Sequence, residues 1–281
     1  MSGSRAMQLF GADPTIMGVV NVTPDSFSDG GKYINKNNAI AHGVSLLEQG
    51  AHILDIGGES TRPGAQVIDI EEEIERVVPV IRELSRHAKH ISIDTRNAAT
   101  MRAALDAGAT AINDISALEH DSESIKVVSS AQVPVFLMHM QGDPQSMQKK
   151  PQYNNAVGDI YNYLKSRVLI CETIGIDKKN IILDPGIGFG KTLDHNLLII
   201  RNIKKFHDLG CTILLGTSRK RFIADISNGE DAGDRLGGSL SSIVLGRIQG
   251  AQIFRVHDVK QSVQALKVAD AIQAADEFSP E

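Results

Sequence analysis

The chain reads as a single-domain α/β protein, a (β/α)8 TIM barrel, and three observations predict it. Short β-branched runs alternate with longer stretches of helical period, the pattern of parallel strands joined by helices. The pair recurs eight times at about 30–35 residues per unit, the rhythm of a barrel of about 250 residues. The 281 residues, 42% of them hydrophobic, suffice to bury one large core. A doubly wound parallel sheet is the alternative that the same alternation allows. No linker and no low-complexity segment divides the chain, so one domain spans residues 1–281, with a barrel core over about residues 15–275.

The elements follow in order. Strands are predicted at 15–20, 52–56, 90–94, 110–114, 133–138, 180–184, 212–216 and 252–256, each a short run rich in Ile, Val and Leu. Helices are predicted between and after them at 38–49, 70–85, 98–107, 122–130, 155–174, 194–206, 236–250 and 259–275. Several of these end where a glycine stops a helix, at Gly50, Gly108 and Gly175.

Composition narrows the function. A formal net charge of −5 and a pI near 6.0 argue against a protein that grips nucleic acid through a broad basic surface, so any anion is captured locally. Cys171 and Cys211 are the only cysteines, too few for a disulfide framework and without metal-ligand spacing. The N-terminal residues lack the apolar stretch of a signal peptide, and no later stretch is apolar and long enough to span a bilayer. A cytoplasmic protein is expected.

The polar residues gather at one end of the strands. Just at or beyond the eight carboxyl ends stand Asn21, Asp55, Asp94, Asn113 with Asp114, His139, Asp184, residues 218–220, and Arg255 with His257. In a barrel these ends converge on the face where active sites are built. Asp94 or Asp184 alone reads equally well as a cap of the next turn. Caps do not require such groups at the same end of nearly every strand.

Four segments sharpen the ligand class. The loop from Asn21 to Gly31 gathers Asp25, Asp29, three hydroxyls and a lone aromatic, Phe27. Residues 57–64 form a second polar loop with Arg62 in its middle, long enough to close over a site. The run DPGIGFGK, residues 184–191, offers glycines for close backbone approach but has neither the Walker A spacing nor the dinucleotide fingerprint. Within it Phe189, flanked by glycines, suits stacking on a planar ligand. The fourth is TSRKR, residues 217–221, with Arg255 and His257 on the last strand, at the place where such barrels hold phosphate. A solvated basic run is the competing reading for residues 219–221. Acids deep in the barrel and cations at its rim point to a ring that donates hydrogen bonds and carries an anionic tail. A pterin fits, and so does a purine.

The ordered blocks MGVVNVTPDSFSDGG, LDIGGESTRPGA, ISIDTR, INDISA, LMHMQGDP, ILDPGIGFGK, LLGTSRKRFI and FRVHDV resemble the dihydropteroate synthase family over nearly the whole chain. The resemblance implies a transferase that joins 6-hydroxymethyl-7,8-dihydropterin diphosphate to p-aminobenzoate and releases diphosphate. It implies that Asp94, Asn113, Asp184 and Lys220 hold the pterin, with Met138 and Arg255 against its faces. Asn21 is then a contact of Mg2+, and Arg255 and His257 handle the diphosphate. Thr61 and Arg62 lie near both the diphosphate and the aminobenzoate, while Phe27, Pro63 and Phe189 enclose the aminobenzoate ring. Residues Ser218 to Arg221 lie where the aminobenzoate carboxylate meets the start of a helix. Many relatives carry serine where this chain has Arg221. The resemblance also implies a homodimer and inhibition by sulfonamides.

On this reading the diphosphate leaves first and its charge is met by Mg2+, Arg255 and His257, after which the uncharged arylamine attacks the pterin cation. Asp29 or Asp94 takes the proton or balances the cation; the sequence does not choose between them. Three alternatives remain at this point: a methyltetrahydrofolate methyltransferase barrel, a Schiff-base aldolase acting through Lys220, and a catalytically silent pterin-binding relative.

Overall fold

The computed structural model describes residues 13–23, 32–59, 68–143 and 146–275. Eight parallel strands close into a barrel in sequence order: β1 (Thr15–Asn21), β2 (Ile53–Gly57), β3 (Ile91–Asp94), β4 (Ala111–Asp114), β5 (Val135–Met138), β6 (Ile181–Asp184), β7 (Thr212–Leu215) and β8 (Ile253–Val256). The ring closes where Thr15 to Gly18 of β1 pair with Ile253 to Val256 of β8. A doubly wound sheet is thereby excluded.

Helices α1 (Lys32–Glu48), α2 (Ile70–Leu84), α3 (Ala98–Asp106), α4 (Ser124–Ala131), α5 (Ala156–Thr173), α6 (Leu193–Arg201), α7 (Arg221–Ile226), α8 (Leu236–Ile248) and α9 (Val259–Gln273) connect the strands or follow them. Two departures from the sequence expectation have local causes. The helix expected over residues 194–206 stops at Arg201, because Asn202 turns its side-chain amide back onto the Leu198 carbonyl; a 3-10 helix, Ile203–Leu209, continues to Gly210. The short α7 directly after the β7 loop is absent from the helices read by periodicity, although the family resemblance implies a helix start at Ser218 to Arg221.

Strand alternation sets the chemistry of the interior. Met17, Ile53, Ala111, Phe136, Ile182, Leu214 and Ile253 pack together inside the barrel as an apolar plug. Their strand neighbours Leu54, Ile112, Val135, Leu137, Leu183, Leu215 and Phe254 belong instead to the larger core shared with the helices. Side chains two residues apart on a strand share a face. The layer above the plug therefore holds Asp55, Asn113, Met138, Asp184, Gly216 and Arg255, joined by Asp94 of β3, whose neighbours Ile91 and Ile93 belong to the outer core. A dry plug below and a polar layer above place a floor at the carboxyl end of the strands.

Candidate active site

Arg255 is the centre of that floor. Its Nε donates to Asp55 Oδ2 at 2.6 Å and its Nη2 to Asp94 Oδ2 at 2.8 Å. Asn113 Nδ2 donates to the same Asp55 oxygen at 3.0 Å. Asp55 is fully buried, so its charge depends on the guanidinium. One cation between two carboxylates leaves a surplus of negative charge. Burial, with Asp55 and more distant carboxylates adding to it, pushes the Asp94 carboxyl up to about 7 against the opposing pull of Arg255.

Asp184 ends β6 and is nearly buried. Its Oδ1 accepts from the Gly186 N–H at 2.7 Å, and burial raises its carboxyl above the ordinary range while that bond and the Lys220, Lys191 and Arg255 cations oppose the rise. Lys220 lies across the glycine loop, its Nζ 4.1 Å from the centroid of the Phe189 ring. Burial and the nearby Arg255 push its ammonium down to about 8, with Asp184 and Asp94 opposing. Met138 is buried at the end of β5 beside the glycine loop.

The glycine loop is built against the β5 end. A Cβ on Gly186, whose φ is +72°, would stand 2.0 Å from the His139 carbonyl oxygen. Gly186→Ala is therefore expected to cost at least about 2 kcal/mol in urea denaturation and to abolish ligand binding at Asp184. Under the same loop the buried Lys191 ammonium reaches His139 Nδ1 at 3.0 Å, the His139 carbonyl at 3.1 Å and the Phe189 carbonyl at 2.8 Å. Burial pushes Lys191 down to about 7, with Asp184 opposing; burial and then Lys191 push His139 down to about 3. This staple received no role from the sequence, although both residues lie inside motifs singled out there.

At the β7 and β8 ends, Ser218 Oγ accepts from the His257 backbone N–H at 3.2 Å and lies 3.0 Å from His257 Nδ1. The hydroxyl oxygen has a second lone pair and one hydrogen, so this contact suits either imidazole tautomer. Burial, and next Arg255, Arg219 and Lys220, push His257 down to about 3. In the protein alone, His257 is therefore neutral, where the sequence suggested a cation.

Other expectations change or stay open. Asp114, grouped with Asn113 by sequence, faces the opposite way and shapes the next turn, accepting from the Ser116 N–H at 2.7 Å and the Leu118 N–H at 3.0 Å. The Arg221 side chain is 88% exposed and paired with Asp225 at 3.4 Å, so it does not join the network; the two stand at helix i,i+4 spacing. Asn21 ends β1, its backbone paired with Gly57 of β2. Asp29, Phe27, Thr61, Arg62 and Pro63 lie outside the described residues.

Fold and floor define a barrel of the enzyme type, with acids, an amide and a lysine gathered at the carboxyl ends of its strands. The family described as pterin binding enzyme matches residues 17–257. The Escherichia coli (strain K12) protein named dihydropteroate synthase is 42% identical over 265 residues, covering 94% of this chain and 93% of that one. Among solved structures, Xanthomonas albilineans dihydropteroate synthase with 4-aminobenzoic acid superposes with a TM-score of 0.89 at 43% identity, over 94% of this chain and 95% of its own. Yersinia pestis dihydropteroate synthase in a sulfonamide drug complex gives 0.89 at 41% identity, over 94% and 96%. The chain belongs to the dihydropteroate synthase family of pterin-binding enzymes.

Proposed function

We propose that this chain condenses 6-hydroxymethyl-7,8-dihydropterin diphosphate with p-aminobenzoate, with the pterin on the floor and the aminobenzoate under Phe189. The supporting observation is the continuous network from Asn113 through Asp55 and Arg255 to Asp94, set above a dry plug and facing Asp184 and Lys220. Carboxylates accept from a ring carrying adjacent N–H groups, and Asn113 both accepts and donates. A methyl-transferring barrel or a Schiff-base aldolase has no support from the relatives, all of which share the synthase name among those given above.

Reaction breaks the bond between the pterin methylene carbon and a diphosphate oxygen and forms a bond from that carbon to the arylamine nitrogen, which then loses a proton. The negative floor favours the cationic ring produced when diphosphate leaves. With Arg255 held by two carboxylates, its charge is largely committed to the floor. His257 and Arg62 are the residues left to meet the departing diphosphate, and a bound metal would add positive charge there. Asn21 offers one hard oxygen donor, and among the described residues no trio of His, Cys, Asp or Glu stands ready for an ion. The Asn21 oxygen suits Mg2+, which would bind through few protein ligands plus substrate phosphate and would supply positive charge to the departing diphosphate. Ionised Asp94 is the acceptor of the amine proton that this floor favours, over Asp29.

Purified protein with the dihydropterin diphosphate and Mg2+ is expected to release diphosphate in step with dihydropteroate, identified by mass, only when p-aminobenzoate is present. Pterin binding without condensation would instead mark a silent relative. In isothermal titration, Arg62→Ala and Phe27→Ala are expected to keep pterin affinity within about threefold while weakening p-aminobenzoate capture by about tenfold or more. Sulfonamides are expected to compete with p-aminobenzoate.

A homodimer accords with an apolar groove of about 450 Å³ on the barrel's flank, lined by Leu197, Phe222, Ile223, Leu245 and Ile248. No helix of the described residues is long and apolar enough to cross a membrane.

A further inference from the structure

Between Ser218 and Lys220 stands Arg219, a residue to which neither substrate assigns a part. Its φ is +58°, one of four non-glycine residues with positive φ among those described. This left-handed conformation is rare for a long side chain and persists only where the surroundings over-determine it.

Every polar handle of Arg219 is tied to a different point. Its backbone N–H donates to Ser239 Oγ at 2.9 Å, and its carbonyl accepts from Arg235 Nη1 at 3.0 Å. Its guanidinium is bidentate on Asp258, Nε to Oδ2 at 3.0 Å and Nη2 to Oδ1 at 2.6 Å. Asp258 directly follows His257, and Ser218 directly precedes Arg219, so the ion pair and the Ser218–His257 hydrogen bonds form two adjacent rungs between the β7 and β8 loops. Bidentate guanidinium–carboxylate pairs fix orientation as well as distance.

We propose that Arg219 is a positioning residue: its bidentate bond to Asp258 sets the spacing of Ser218 and Lys220 against His257, and so the fit of the aminobenzoate and diphosphate ends of the substrates. The proposal rests on the functional reading above and on the family resemblance behind it, which give Ser218, Lys220 and His257 to those substrates. The positive φ is part of the device. It turns the chain so that Arg219 reaches the β8 loop while Lys220 lies over Phe189.

The test is steady-state kinetics on the full chain. Arg219→Asn keeps a residue that tolerates the left-handed region and removes the fork; Asp258→Asn keeps shape and removes charge. Each is expected to raise KM for p-aminobenzoate by about tenfold, and the double variant by no more than either, as coupled partners require. The exchanged pair Arg219→Asp with Asp258→Arg is expected to recover part of the loss. Asp270→Asn breaks a like bidentate pair, with Arg247 at 2.8 and 3.1 Å, late in α8 and α9 and therefore toward the other end of the barrel. It is expected to lower Tm without moving KM.

A KM within about twofold of native in Arg219→Asn, strict additivity in the double variant, or an equal KM shift in Asp270→Asn overturns the proposal. Those outcomes leave the functional reading intact, since the native protein still makes dihydropteroate. A native protein that makes none overturns both.

Discussion

Arg255→Met is expected to abolish dihydropteroate formation, by about a thousandfold or more, and to lower stability by about 3–5 kcal/mol. The size follows from what the guanidinium leaves behind. Asp55 is fully buried and gives Arg255 and Asn113 the same oxygen, while its other oxygen has no partner among the described residues. Removing the cation strands Asp55 and Asp94 together above an apolar plug. The pH dependence gives an independent check. Asp94 already has a folded-state pKa of about 7, above its unfolded value, so the native state holds its proton more tightly. Its contribution favours folding in acid and is lost as pH rises toward 7. Without Arg255 that window extends upward, so the deficit of the variant in urea melts is expected to widen from about pH 5 to about pH 8. A deficit independent of pH would show that lost packing, and not stranded charge, governs the site.

Why Asp55 escaped a role in the sequence reading is instructive. It was visible at the end of a predicted strand, but its partners lie 58 and 200 residues away, and only barrel closure brings them to it. Parity offered a signal: Asp55 stands two residues after Ile53 in β2, as Asn113 does after Ala111 and Arg255 after Ile253. The same count separates inward Asn113 from outward Asp114. All eight strands were legible because buried parallel strands read as apolar runs. The ends of elements were less so, since Asn202 and the Arg219 turn act through hydrogen bonds that no periodicity records. Arg221 drew attention as a cation next to the site, yet its side chain is exposed and lies beside Asp225 one helical turn on. The charge of His257 depends on burial and on three cations, Arg255 of β8 and Arg219 and Lys220 of the loop after β7, none of which spacing reveals.

Asp184→Asn and Lys220→Met are expected to weaken pterin binding severely, though measurably, while leaving the barrel folded. Asp184 holds its place through the Gly186 N–H, a bond that an asparagine oxygen keeps, so the variant retains the loop and loses the charge. The ring must then bind an amide that offers one acceptor in place of two, and affinity is expected to fall by about a hundredfold or more in isothermal titration. Lys220→Met keeps the stem that packs along Gly188 and removes the cation over Phe189. Here pH separates charge from shape. In the native protein Asp94 gains its charge as pH rises through about 7, and Lys220 loses its own as pH rises through about 8. Pterin affinity is therefore expected to climb on the first limb and fall on the second. In Lys220→Met the alkaline limb should vanish and the acid limb remain, because Asp94 still titrates beside Arg255. An alkaline limb that survives the substitution would assign the loss to another group and remove Lys220 from the pterin floor.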